Sequence, residues 1–189
     1  MIAVASSAAA APMQGVDQIL AAQVAAFLAF LLAASAAHKW LRWKQTLGVV
    51  RDFAGVPRAA ASSVALTVGL VEWLAAALLF SSSYRVLGAL LAASILTVYL
   101  TLIVRSLIAG RRDVDCGCSF GPARRSLGTF EVVRNSVLAS MALLVAVSAV
   151  RGGAAVAVSQ LLGAAALLAL YGALDQAMGL QPMRKGAVL

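Results

Sequence analysis

The chain has 189 residues, 62% of them hydrophobic and 12% charged, where soluble domains carry roughly 45–50% and about 25%. With a mean hydropathy of +0.95, the composition excludes an ordinary soluble domain and predicts an all-α, polytopic membrane helix bundle. A formal charge of +8 would suggest nucleic acid in a soluble protein; here the cations flank apolar runs, where they orient a chain in the bilayer, and no nucleic-acid partner is expected.

Residues 1–18 are small and Ala-rich, with no Lys or Arg before the first apolar run, so they read as a flexible N-terminus without the basic start of a signal peptide. A single transmembrane domain is expected over 19–178, including a polar loop at 109–129, and a tail at 179–189. The first run, Ile19 to Ala37, is interrupted only by Gln23 and Ser35 and has about the length that crosses roughly 30 Å of hydrocarbon. It ends in His38-Lys39-Trp40-Leu41-Arg42-Trp43-Lys44, read as a membrane boundary with cations snorkelling between interfacial indoles. His38 reads there as an anchor, with a proton shuttle as the functional alternative.

Gly55-Val56-Pro57 breaks the following loop, and a second run extends from Ala59 to Phe80 with Glu72 inside it. An ionisable group in mid-span is a functional candidate by default. Glu72 could move protons or hydrogen-bond a quinone; the structural alternative is a partner for Arg105, Arg134 or a helix-end polar group. Ser81 to Arg85 marks a turn before a third run, Val86 to Ile108. A fourth, Phe130 to Val150, carries Glu131, Arg134 and Asn135 in its first turns. Glu131 and Arg134 stand three apart, the spacing of a local ion pair, while Arg134-Asn135 could bind a lipid head group, a quinone carbonyl or loop backbone. The fifth run, Ala154 to Leu174, closes near Asp175, and its Gly163 and Gly172 are expected to let helices approach closely. These are about five spans, with a four-helix core compatible with the pattern; runs of about 20 residues favour helices over barrel strands of about 9–11.

With five crossings, every Lys and Arg except Arg85 and Arg151 falls on one side. The positive-inside rule then places the N-terminus outside, and the C-terminus and polar loop on the cytoplasmic side of a bacterial inner membrane.

That loop holds both cysteines of the chain, Cys116 and Cys118, separated by Gly117. Two thiols one residue apart can close a small strained disulfide, and glycine best tolerates the backbone angles required. Strained or exposed disulfides are the labile, regulatory or catalytic ones. Arg111, Arg112, Arg124 and Arg125 favour thiolate, as would a helix N-terminus capped by Thr129, whereas Asp113 and Asp115 oppose it; the net sign stays open. Inert packing thiols are one alternative. A soft metal shared across two subunits is another, though His38 is the chain's one imidazole and no third thiolate exists. No metal site is therefore expected.

The CGCSFG loop, Arg134-Asn135 at the start of a helix, Lys39 after the first span and the intramembrane Glu72 together resemble the methylamine-utilisation MauE family, related to DoxX-like membrane proteins. The likeness extends from about Ile19 to Val150. The family pattern reads CGCFG, whereas here Ser119 precedes Phe120-Gly121. The resemblance implies a membrane protein that helps mature an exported disulfide-containing enzyme, exchanging disulfides or electrons with a thioredoxin-like partner through Cys116 and Cys118, with Glu72, Arg134, Asn135 and Lys39 in support. Activity as a thiol–disulfide oxidoreductase stays open beside two alternatives, a non-catalytic membrane scaffold and a quinone-linked disulfide generator. Apart from that quinone, no cofactor is expected.

Overall fold

The computed structural model describes residues 11–111, 128–150 and 158–179. Cys116 and Cys118, and with them the expected disulfide chemistry, lie outside the described residues. The described chain forms six α-helices: α1 Ala11–Leu41, α2 Trp43–Asp52, α3 Arg58–Phe80, α4 Arg85–Ile108, α5 Thr129–Val150 and α6 Val158–Gly179. All but α2 are long and apolar enough to cross a membrane, as the hydropathy pattern requires. Each satisfies its backbone polar groups internally, the condition for crossing lipid.

The core joins the five long helices. It is built from Ala25 to Leu32 on α1, Ala75, Ala76 and Leu79 on α3, Ala89 to Leu96 on α4, and Leu138 to Ala146 on α5; α6 adds Ala164. Alanines dominate it. With little side chain between the axes, helices associate through close packing, the principal attraction available where lipid is as apolar as the protein interior. Helix α6 lies along α1, where a Cβ at Gly163 would meet the Gln23 amide 2.5 Å away, whereas Gly172 faces open space. The expected close approach therefore holds at Gly163 and not at Gly172.

Helix α2 replaces the expected loop. The chain pauses at Arg42 and resumes its helix, with the Thr46 amide donating to the Arg42 carbonyl at 3.0 Å. Val49 and Phe53 of α2 then pack on Leu102, Ile103 and Leu107 of α4 and on Val132 of α5. The first span ends at Leu41, within the boundary expected at 38–44, and the chain continues through α2 before it turns toward α3 between Asp52 and Arg58, at the expected Gly55-Val56-Pro57 break. There Gly55 takes a left-handed φ of +70°, and Pro57 precedes α3 as its N-cap.

At the other end of the hairpin, Arg85 is fully buried, and its Nε donates to the Leu79 carbonyl at 3.3 Å. It thus serves a helix-end acceptor in the α3–α4 turn. Helix α4 ends in a Schellman motif: Gly110, at φ +71°, donates to Leu107, and the Arg111 amide donates to Ser106, both at 3.0 Å. This fixes the direction in which the cysteine loop departs. The loop returns through Gly128, whose amide donates to Glu131 Oε2 at 2.8 Å. That is the return bond of a capping box, with Gly128 at the cap position expected for Thr129.

Candidate functional site

Glu72 is the eighth residue before Phe80 and the fourteenth after Arg58. At 1.5 Å per residue it lies roughly 12 Å from one end of α3 and about 21 Å from the other. It is wholly buried, so its charge must be matched locally. Lys39 Nζ donates to both carboxylate oxygens, at 2.8 and 2.9 Å, and to Ser35 Oγ at 2.6 Å. Ser35 donates to Oε1 at 3.2 Å, and the Tyr99 hydroxyl donates to the same oxygen at 2.6 Å. The carboxylate thus receives four hydrogen bonds, three at Oε1 and one at Oε2. The network ties α1, α3 and α4 together inside the bilayer.

One expectation changes here and another is narrowed. Lys39 does not snorkel to the interface; it is buried and turned inward, because the Glu72 carboxylate neutralises it within the bundle. The structural partner of Glu72 is Lys39 in the last turn of α1, a helix-end polar group as one of the expected alternatives had it, and neither Arg105 nor Arg134. The neighbouring contacts set the register. Phe30 meets Phe80 edge to face, with centroids 5.5 Å apart, and Trp40 meets Trp73 at 6.2 Å. A Cβ at Gly69 would approach Trp40 Nε1 to 2.6 Å, so the missing side chain at that position admits the indole.

Beside the network lies a cavity of about 300 Å³ between α2, α3 and α4. Lys39 and Tyr99 line it, together with Thr46, Arg42 and His38, and its walls are aliphatic: Val49, Val50, Val64, Val68, Val98 and Leu102. A largely apolar cavity with a few convergent polar groups is the usual form of a small-molecule site.

Arg134 and Asn135 belong to a second buried set at the start of α5. Arg134 Nη1 donates to Asp175 Oδ1 across to α6 at 3.0 Å, and Asn135 Nδ2 donates to the Glu131 carbonyl at 2.9 Å. The spacing that suggested a Glu131–Arg134 pair gives way to an interhelical bridge, and Asp175, expected to mark the end of the fifth run, is buried within α6.

The described ends of the cysteine loop are held against the bundle. Arg111 at its start donates to the Asp52 carbonyl at the end of α2, and Val132, four residues after Gly128, packs on the Phe53–Ile103 contact. Lys39 and Glu72 are therefore directly joined, Arg134 and Asn135 form a separate group, and the cysteines lie on the connection between α4 and α5. Tyr99, Ser35 and Asp175 were missed as site residues. A hydroxyl or carboxylate on an otherwise apolar helix was the available signal.

The family profile described as Methylamine utilisation protein MauE matches residues 17–149. The chain belongs to the MauE family. The Methylamine utilization protein MauE of Paracoccus denitrificans is 35% identical over 143 residues, covering 76% of this chain and 75% of the relative. Its counterpart in Methylophilus methylotrophus is 34% identical over 131 residues and 69% of each chain. That of Paracoccus versutus is 33% identical over 148 residues, covering 77% and 80%. No solved structure matches. The MauE match includes Ser35, Lys39, Glu72, Tyr99, both cysteines, Arg134 and Asn135; Asp175 and the rest of α6 lie beyond it. Five apolar helices and MauE relatives together make this an integral membrane protein.

Proposed function

We propose that this MauE-family protein is a membrane thiol–disulfide exchanger that supports maturation of an exported, disulfide-containing enzyme, of the kind that methylamine utilisation requires. The observation that carries the reading is the Cys116-Gly117-Cys118 pair, the chain's whole complement of thiols, on a loop whose described ends are both fastened to the bundle. Cys116 is five residues and Cys118 seven residues beyond Arg111. An extended chain spans at most about 3.6 Å per residue, so the pair stays within roughly 18 and 25 Å of that anchor.

A thiolate of the pair attacks the disulfide of a thioredoxin-like partner. A mixed disulfide forms and one partner thiolate leaves. The second cysteine then attacks the mixed disulfide, closing the CGC disulfide and releasing the reduced partner. In reverse, the same steps deliver a disulfide to a client. The net change is two electrons and two protons exchanged between the two dithiol–disulfide couples. By the distribution of its basic residues, the loop faces the cytoplasmic side of a bacterial inner membrane, so the direct partner is cytoplasmic and an exported client is served only if the cysteines are also reached from the other side.

The test is thiol labelling in intact cells with membrane-impermeant and permeant reagents, before and after reduction, alongside Cys116→Ser and Cys118→Ser. Exchange predicts labelling that appears on reduction, and a mixed disulfide that accumulates when the resolving cysteine is replaced. Thiols that stay reduced under every condition, with client maturation unaffected by both substitutions, would sink the exchange reading and leave a scaffold.

A further inference from the structure

We infer that the cavity between α2, α3 and α4 is a binding site for a lipophilic quinone, with Tyr99 presenting its hydroxyl to a ring carbonyl. The first argument is where the cavity opens. Val98 and Arg42 line it and are exposed on the outside of the bundle, so the mouth faces the surroundings of the bundle. Val98 lies within the span Arg85–Ile108 and Arg42 just past the end of the first span at Leu41, so a ligand entering on the Val98 side comes from the lipid phase near its boundary. Its volume of about 300 Å³ accepts a substituted ring and excludes the body of a two-chain lipid, whose tails must trail outward.

The second argument is charge. Lys39 lines the cavity, but two of its hydrogen bonds go to Glu72, so the pair adds no net charge. Arg42 places one cation at the exposed rim, but past it an anionic group would meet an ammonium already paired with a buried carboxylate. An uncharged acceptor carries no such repulsion. A quinone carbonyl is such an acceptor, and its ring suits the valine and leucine walls.

The third argument is the arrangement of donors. Glu72 receives four hydrogen bonds, two from Lys39, one from Ser35 and one from Tyr99. Tyr99 can turn its hydroxyl toward a ligand while the other three still serve the carboxylate. Lys39 cannot do so without leaving Glu72 under-served in a medium where that is expensive. Of the two Glu72 donors that line the cavity, Tyr99 is therefore the one placed to serve a ligand, and Lys39, Ser35 and Glu72 are positioning residues.

A quinone here gives the exchange reaction an outlet, a step that rests on the thiol chemistry proposed above. Two thiols lose two protons and two electrons as the sulfur–sulfur bond forms. The quinone takes up both, and its two carbonyls become the hydroxyls of a quinol.

The test uses the full chain in phosphatidylcholine nanodiscs, labelled with a photoreactive azidoquinone and mapped by mass spectrometry, with decylubiquinone and oleate as competitors. Adducts on α2 and on the facing turns of α3 and α4, displaced by decylubiquinone and not by oleate, support the site. Labelling should fall at least tenfold in Val98→Trp, which closes the mouth at an exposed position, and several-fold in Tyr99→Phe. Adducts elsewhere, equal displacement by oleate, or labelling unchanged in Val98→Trp would overturn it. A partner mixed disulfide formed without site-specific quinone labelling removes the quinone and leaves thiol exchange. Site-specific labelling with inert thiols leaves the cavity as a quinone site and removes the exchange.

Discussion

Lys39 and Glu72 each pass from water into the bundle, and neither is tolerable there alone. Removing one partner of a buried pair strands a charge and typically destabilises by about 3–5 kcal/mol, whereas replacing both with apolar residues of similar volume is often neutral or stabilising. Glu72→Met is accordingly expected to lower the unfolding free energy by about that much, and Lys39→Met with Glu72→Met to recover most of it. Denaturant titration in mixed micelles, read by the fluorescence of Trp40 and Trp73 beside the pair, measures both. Recovery of stability without recovery of function would assign the pair a chemical duty; recovery of both would make it purely a fastening.

At the scale of the helices, close approach is concentrated at a few positions. A Cβ on Gly88 would lie 2.7 Å from the Leu79 backbone nitrogen and 2.9 Å from the Leu78 carbonyl carbon, so Gly88→Ala must push the end of α3 aside. About 1–3 kcal/mol of destabilisation is expected, as for other overpacked sites. Gly172 has nothing within 4 Å of the same probe, and there Gly172→Ala should stabilise by up to about 1 kcal/mol through helix propensity. Thermal melts of the two variants check the contrast; similar shifts would mean that the α3–α4 turn yields more readily than its backbone contacts imply. The spans themselves were legible in the sequence, because lipid demands uninterrupted apolar runs. Helix α2 was not, since its polar residues hid the pattern of Thr46, Val49, Val50 and Phe53 at helical spacing. That omission carried over to Lys39. With the membrane boundary read at 38–44, Lys39 fell at the head groups and Glu72 in mid-span. Only the register that sets Phe30 beside Phe80 brings them level, and hydropathy carries no register.

Across the whole molecule, the basic ends gather where α2 finishes and α4 gives way to the cysteine loop, an adjacency fixed by the Arg111–Asp52 contact. With five spans the two termini fall on opposite faces, and on the topology proposed from the positive-inside bias the C-terminus is cytoplasmic. A C-terminal green fluorescent protein fusion should therefore glow, and a C-terminal alkaline phosphatase fusion should be inactive. The reverse pattern would invert the bundle and put the thiols within direct reach of exported clients. The motif Cys116-Gly117-Cys118 was legible as chemistry from two cysteines in a charged loop, but no spacing rule names the partner that meets them.

The alanine core also shapes how this protein can change by inheritance. Alanine codons become valine or threonine codons by single-base transitions or neighbouring single-base changes, so frequent mutations at Ala25, Ala76, Ala92 or Ala142, each essentially fully buried, add atoms where none fit. Cores of leucine and phenylalanine fail mostly by losing volume, and nearby side chains can relax into the gap. Here the common errors wedge backbones apart. Variation is therefore steered away from the helix contacts and toward the lipid-facing side chains, where one aliphatic residue serves nearly as well as another.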